Sequence, residues 1–533
     1  MLKILPGQLG RDDDVETRAP GLEELRDAVK QELLELLDFV FTAGTANTPP
    51  CFKNLERGLC ERVRTVARML VVLFLCACER RVADALGEVA EVDGRRYRRR
   101  PAQPRNLMTL FGVVRYWRKY VRGPRTRGGW SGFHPTDALL GLTTDRLSIG
   151  VASLGAYLST KMSFAQAREC LARTTGDAPS TETIERSVLG LGAHADAYFE
   201  QAPAPDDDGD VLVIQIDGKG VPTATAEELE RRRGPRPENP LRGSARHRGR
   251  ARRGTWNRER RHPGEAKDPR KNAKVAMVLV MYTLRRTDDG LLRGPINKRV
   301  WASFGGKKEI FAIARREAIK RGFDPASESE FPGHKLIHIV TDGDDDLATN
   351  AATSFPHAVQ TIDVMHVLEY VWHAGRAIHS DEQRLRSWAR TQKHRLLHGQ
   401  LDKVVGELDR VLERSGLPKA KRAIIARSRN YILERSDELD YQWLRDQDLD
   451  IGTGAVEGAV NHIVALRFDH GGMRWIRERA QALLTLRCTV FNGDWDRFID
   501  FVHEKLHASA RHGVIMPLLR KSAKPLPNSQ KAA

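Results

Sequence analysis

Three acidic residues far apart in the chain, Asp217, Asp342 and Glu457, sit where folding can gather them. Asp217 follows an apolar run, Val-Leu-Val-Ile-Gln-Ile at 211–216, and Asp342 follows another, Leu-Ile-His-Ile-Val-Thr at 336–341. Runs of this length and composition read as short buried strands. Glu457 lies near the start of a helix whose buried stripe is Val456, Val460, Ile463 and Val464, with Asn461 one turn beyond it on the same face. A lone aspartate at a strand end is most often a turn former. Two at matching strand ends, joined by a glutamate on a closing helix, have a chemistry of their own. Carboxylates forced together repel unless a cation lies between them. Oxygen ligands select hard ions, so Mg2+ or Mn2+ is expected. Two such ions can activate a water or a 3′-hydroxyl on one side of a phosphodiester and stabilise the leaving oxygen on the other. Asp344, Asp345 and Asp346 compete for the middle position, but only Asp342 directly follows the apolar run.

The elements that would hold these acids follow from the pattern between them. Further strands are predicted over 275–282, 299–304 and 358–362. An amphipathic helix is predicted over 309–320, stopping at Gly322, and a short helix links the last two strands. The order β-β-β-α-β-α-β is that of a ribonuclease H-like fold, in which the first and fourth strands are neighbours whose C-terminal ends meet. The fold class expected is α+β or α/β: a ribonuclease H-like catalytic core with an α-helical insertion, preceded by a mainly helical N-terminal DNA-binding region.

Six regions are expected. Residues 1–105 form an N-terminal helical region, with apolar residues at helical spacing over 22–41 and 55–86. Its arginine run at 95–100, followed by Pro101 and Pro104, reads as a linker. Residues 106–205 form a DNA-binding region. A strand or hairpin with a basic face over 110–120 leads there into helices over 146–200, one of them capped by Ser180 or Thr181. The outline is that of a helix-turn-helix, and an ordinary helical hairpin fits it equally. An acidic, proline-containing stretch at 203–210 marks the boundary with the first part of the core, 206–363, which carries a basic insertion at 222–274. The α-helical insertion is 364–450, the core closes over 451–500, and 501–533 is a C-terminal helix and basic tail.

At 533 residues the chain exceeds one simple core. Its 87 Lys and Arg against 70 Asp and Glu give a net charge of +17, and the clustering of that charge favours a polyanionic partner, nucleic acid first. The most apolar run, 69–77, is too short to span a bilayer, and no secretory signal opens the chain. The six cysteines form no CxxC pair and no zinc-finger spacing, which suits a reduced cytoplasmic interior.

Two segments, Val213-Ile-Gln-Ile-Asp-Gly-Lys-Gly-Val-Pro222 and Gly454-Ala-Val-Glu-Gly-Ala-Val-Asn461, resemble the transposases of ISKra-type insertion sequences. Gly472-Met-Arg-Trp475, Leu486-Arg487 and Asn492-Gly-Asp-Trp-Asp496 add to the likeness, as do Leu-Phe-Gly-Val-Val-Arg from 110 and Ser-Phe-Ala-Gln-Ala from 163. The resemblance runs over roughly 106–496. It implies a DDE transposase on a ribonuclease H-like core, with Asp217, Asp342 and Glu457 as the catalytic and metal-holding triad for two Mg2+ or Mn2+ ions. It also implies a helical insertion between the second and third acids. The activity implied is binding of transposon ends, DNA cleavage and strand transfer in a bacterial nucleoid. The partner is then double-stranded DNA, and pairing two ends takes a homodimer or a larger oligomer. Asp363-Val-Met-His366 looks like the Asp/Cys-x-x-His motif that follows the fifth strand in related transposase groups. His366 would orient DNA or a carboxylate, and a structural histidine fits as well. The family pattern places an aromatic residue shortly after the second Asp-Gly, whereas Asp342-Gly343 is followed here by Asp-Asp-Asp-Leu-Ala-Thr.

Candidate DNA contacts are Lys219 in the Asp-Gly-Lys-Gly motif, Arg246, Arg248, Arg250, Arg252 and Arg253 in the basic insertion, His366, and Arg474 with Trp475. Arginines on phosphates would make binding salt-sensitive, while a solvated loop is the plain alternative. Trp372, Trp388, Trp443 and Trp475 are candidates for stacking on an unpaired base, although core packing suits each taken alone. Two other functions share these features: a ribonuclease H-fold nuclease that only cuts, and a non-catalytic DNA-binding protein derived from a transposase.

Overall fold

A computed structural model of the chain describes residues 21–86, 89–92, 95–126, 129–143, 145–224, 274–326, 335–469 and 473–509. Arg246, Arg248, Arg250, Arg252 and Arg253 lie outside the described residues. The fold is mixed α+β. It divides into two compact units, one of residues up to Val188 with those from Asp496 on, the other Leu189–Trp495. Among the described residues no helix is long and apolar enough to cross a membrane.

The first unit opens with two long helices, Leu22–Thr45 and Phe52–Leu86. Four antiparallel strands follow, paired in sequence order: β1 (Val89–Val92), β2 (Arg95–Thr109), β3 (Gly112–Thr126) and β4 (Gly129–Phe133). The arginine run at 95–100, expected as a linker, is the first part of β2. The prolines that suggested a break are absorbed by the edge. β1 pairs only with residues 95–98, and β2 is bridged again on that side only at Met108, so around Pro101 and Pro104 the edge has no strand partner and a missing N–H costs little. Pro101 falls at a bulge, where the register with β3 shifts between Arg100 and Ala102. The hairpin expected at 110–120 is β2–β3, turned at Leu110 and Phe111, with Gly112 at a φ of 107°. A buried polar knot fixes it. Asp137 accepts from the Tyr116 hydroxyl at 2.6 Å and pairs with Arg105 at 2.8 Å and with Arg118. Removing Asp137 would leave the Arg105 and Arg118 guanidiniums without their acid in buried surroundings. Helices Ile149–Lys161, Phe164–Thr175 and Thr181–Gly192 come next. Ser163 and Gln166 form a capping box on the second, and Ser180 Oγ accepts the Thr183 N–H at 3.2 Å on the third.

The second unit is built on a five-stranded mixed sheet of order β7-β6-β5-β8-β9. In that order the labels stand for β5 (Val211–Val221), β6 (Lys274–Arg286), β7 (Leu292–Ser303), β8 (Leu336–Thr341) and β9 (Val359–Ile362), numbered along the chain. β5, β6 and β7 are antiparallel neighbours, while β8 runs parallel to both β5 and β9. Helices Lys307–Lys320 and Asp345–Ser354 complete the order β-β-β-α-β-α-β. Continuous apolar runs make the interior strands because both faces of β5, β6 and β8 are covered: Leu212, Ile214, Val278, Leu279 and Val340 are fully buried, each worth about 2 kcal/mol. The unit begins before the acidic stretch at 203–210 because the helix Ala195–Gln201 packs on this sheet, with the Phe199 ring against Trp301. After β9 the chain turns helical: Val364–Ile378, Glu382–Leu397, Leu401–Leu412, Lys419–Glu434 and Tyr441–Asp446, then Gly454–Ala459 and, later, Arg477–Phe491.

One buried group in this sheet makes stability depend on pH. His338 on β8 has Nε2 at 3.0 Å from the Thr361 hydroxyl and, among the described residues, no partner at Nδ1, and burial drives its pKa from 6.5 down to about 3. Between those values the unfolded chain holds a proton that the folded chain refuses. The stabilisation is therefore full above the unfolded pKa and is lost as pH falls. The expected loss is about 2 kcal/mol between about pH 7.5 and about pH 5. Urea unfolding of the protein and of His338→Leu at both pH values reads it: the variant should lose less by that amount, and equal losses would exclude His338 as the group.

Candidate active site

β5 and β8 share a register in which Val211 faces Leu336 and Gln215 faces Val340. Carried two residues further, it sets Asp217 beside Asp342, at the same end of strands about 4.8 Å apart. Asp217 stands where six buried residues of β5 give way to partly open ones. Asp342 begins the turn that leaves β8. That turn requires glycine at 343 twice over. Its φ is 77°, and a Cβ there would meet the Tyr431 hydroxyl at 2.2 Å.

The neighbouring acids have other partners. Asp344 caps the helix Asp345–Ser354 through the Asp346 and Leu347 amides and pairs with Lys307. Burial works against its charge, but Lys307 and the amides hold its carboxyl below the usual range. Asp346 pairs with Lys307 at 3.3 Å, and Asp345 pairs with Arg435. Asp342 makes only a hydrogen bond from the Asp344 N–H, at 3.1 Å, which leaves it the one acid of this run turned to no cation among the described residues.

Glu457 comes from the short helix Gly454–Ala459, and two buried side chains hold that helix in place. Gln215, two residues before Asp217 on the same face of β5, is 1% exposed. Its Nε2 donates to the Gly452 carbonyl and the Tyr282 hydroxyl, both at 3.1 Å, and its Oε1 accepts the Val456 N–H at 3.0 Å. Asp363, also 1% exposed, is the second clamp. It caps the helix Val364–Ile378 by accepting the Met365 N–H, and it accepts the Thr453 N–H at 2.8 Å and the Thr453 hydroxyl. The Thr453 hydroxyl also lies 3.3 Å from the Glu457 carboxylate. Beyond Glu457 the helix loosens into a π turn, Val460–Ala465. The buried Arg487 guanidinium fills it, donating to the carbonyls of His462 and, at 2.7 Å, Ile463.

These acids feel one another. Burial pushes the Asp217 carboxyl above its ordinary range. The Gly218 N–H pulls it back, the charge of Asp342 pushes it up, His366 draws it down, and Glu457 pushes it up again. Among the described residues no three His, Cys, Asp or Glu side chains converge tightly enough to hold a metal ion as they stand. The donors nevertheless suit a hard divalent cation. All are carboxylate oxygens, and a half-buried carboxyl flanked by two like charges is the environment such a cation relieves.

The other expected contacts fare differently. His366 lies in the first turn of Val364–Ile378, half-buried, within electrostatic reach of Asp217. Lys219, on the same face of β5 as Asp217, pairs with Asp469 at 3.5 Å. Arg474 is exposed. Trp475 is not offered to a base. It is 9% exposed, its ring lies against Phe468 at 4.9 Å with the Arg467 guanidinium over it, and its backbone pairs with Pro222 and Ala224. Trp388 is tied through Nε1 to Glu407 at 2.6 Å. An aromatic side chain reaches Gly343 from the helices that follow β9. Tyr431 stacks on Tyr370 with centroids 3.7 Å apart, lies against Gly343, and has its phenol pushed up to about 12 by burial, with Asp342 among the charges adding to it. Nothing in the spacing of the sequence reveals Tyr431 or Arg487. Gln215 does leave a signal: it is the one polar residue inside the run 211–216. No family model and no curated protein matches the chain.

Proposed function

We propose that the chain is a DDE-type transposase on a ribonuclease H-like core, one that binds transposon ends, cleaves DNA and transfers the freed strand to a target. The observation that carries this is the parallel register of β5 and β8, which sets Asp217 beside Asp342 at one end of the sheet, with Glu457 and His366 near enough to bear on the Asp217 carboxyl. A sheet whose first strand lies between its second and fourth supports the same core. Asp217, Asp342 and Glu457 would hold two Mg2+ or Mn2+ ions, which when bound supply activation of a water or 3′-hydroxyl and stabilisation of the leaving oxygen. Gln215 and Asp363 fix the segment that carries Glu457. His366 stands where it can position a DNA phosphate or a carboxylate. Lys219, paired now with Asp469, would exchange that partner for phosphate. Two copies would hold two ends.

One observation favours a second reading. Among the described residues the acids do not converge as a ligand set, as in a DNA-binding protein that has lost catalysis. Cleavage and strand-transfer assays with manganese separate the possibilities, using intact and pre-cleaved duplexes made from the sequences flanking its own gene. Joined products are expected. Cleavage without joining would leave a nuclease, and binding without either would leave the non-catalytic protein.

A further inference from the structure

The first unit carries an apolar face that its own fold leaves in water. In the helix Leu22–Thr45, Leu25, Val29, Leu36 and Phe39 recur at helical spacing and turn toward the helix Phe52–Leu86. Leu25 and Val29 are buried, and Phe39 lies under the Arg62 guanidinium at 4.4 Å. The second helix turns another face to the sheet, where Leu75 packs with Leu107, Val114 and Tyr116. Each helix has a further apolar stripe. On the first it is Leu33, Leu34, Leu37, Val40 and Phe41, from 40% exposed at Leu33 to 72% at Phe41. On the second, Cys60, Val63, Ala67, Leu70, Phe74 and Ala77 alternate steps of three and four, the heptad spacing of a helix seam. Val63, Leu70 and Phe74 are exposed. Residues 46–51 join the helices, a link short enough to make them antiparallel. At about 3.6 residues per turn both stripes then turn to the same side of the pair. The eight large side chains leave on the order of 800 Å² in water, more than the about 300–600 Å² of the largest apolar patch on an ordinary monomer and about what one partner buries in a standard interface. The charges around the stripes differ in sign. The first helix carries six acids and two bases, the second seven bases and four acids. Two such pairs stacked about a two-fold axis along the helices set each first helix against the second helix of the other copy, acidic rim on basic rim. A two-fold axis across the helices would stack like on like.

We propose that this face joins two copies of the chain in a four-helix bundle, with Leu37 of each copy against Val63 of the other. The inference rests on the reading in which two copies hold two DNA ends, and it names where they join. Its test contains no DNA, so it can fail while that reading stands, and a dimer that joins no DNA would sink only the reading. Light scattering of the full chain at about 20 μM should give twice the 60.0 kDa of one copy. Leu37→Glu and Leu70→Glu should each weaken the dimer at least about 100-fold and return the mass to 60.0 kDa, because each buries an unpaired acid in the seam. Their helix content by circular dichroism should match the parent's, since both side chains are exposed in a single copy. Leu37→Met keeps size and apolar character, and should keep the dimer. A gain of signal checks the geometry. In a Cys60→Ser background, Leu37→Cys/Val63→Cys should oxidise to a disulfide-linked dimer. Within one copy the two side chains point the same way from helices about 8–10 Å apart and cannot join each other. A parent that stays monomeric at that concentration overturns the proposal, even if the face then binds phosphatidylcholine vesicles. Glutamate variants that remain dimeric overturn it as well.

Discussion

Asp217→Asn should abolish DNA cleavage, lowering its rate by at least about 10³-fold, the scale of removing a main electrostatic element of a site, and leave duplex affinity within about two-fold. The amide has the size of the carboxylate, and its oxygen can still accept the Gly218 N–H. What disappears is a charge. In the folded protein that charge is a burden: burial, then Asp342 and Glu457, hold the Asp217 pKa above its value in an unfolded chain. A raised carboxyl pKa means stability that is complete at low pH and is lost as pH rises through the folded value. Above that pH the charged side chain costs stability, and the amide does not. The variant should therefore melt at a higher temperature than the parent at about pH 7.5, with the gap closing toward about pH 4. A purely structural aspartate gives the opposite, because its loss would lower the melting temperature. Destabilisation together with retained cleavage would sink the proposed role of Asp217. Activity lost alongside stability gained is the mark of a residue kept for chemistry at the expense of the fold.

The scaffold of this site was far more legible in the sequence than its supports. Runs such as 211–216 and 336–341 read as central strands because burial on both faces demands unbroken apolar residues, and the acids at their ends follow from the register. The β2 strand was hidden by its own composition. Arginine density and two prolines signal a linker, and only the pairing pattern shows that a strand without an edge partner there tolerates both. Asp342 stands out from Asp344, Asp345 and Asp346 in the sequence only by following the apolar run; what the sequence does not show is that Lys307 and Arg435 reach the other three from elsewhere in the chain. Trp475 invited a role in base stacking through its flanking arginines. Its burial depends on Phe468 and on the backbone of Pro222 and Ala224, partners that no local pattern identifies.

Gln215 shows the same lesson turned to use, and its replacement is expected to have the second-largest effect on cleavage. Gln215→Leu keeps the side-chain volume within β5. It leaves the Val456 N–H and the Gly452 carbonyl without their partner in a buried setting, where each unsatisfied group costs about 1–3 kcal/mol. The segment relieves that cost by moving. It carries Glu457, and a displacement of about 1 Å in a catalytic group costs about 100-fold in rate. Cleavage per folded molecule should fall by about that factor, well beyond what partial unfolding at about 20 °C explains, while duplex affinity holds. Tyr282→Phe is the matched control. It removes the hydroxyl that Gln215 Nε2 and Asp450 share, but leaves both bonds from Gln215 to the Glu457 segment intact. Its cleavage should stay within about ten-fold of the parent, since the clamp itself survives. If Gln215→Leu cleaves at the parent's rate per folded molecule, the buried glutamine only fills the core. If both variants fall together, the tyrosine–aspartate pair rather than the glutamine sets the position of Glu457.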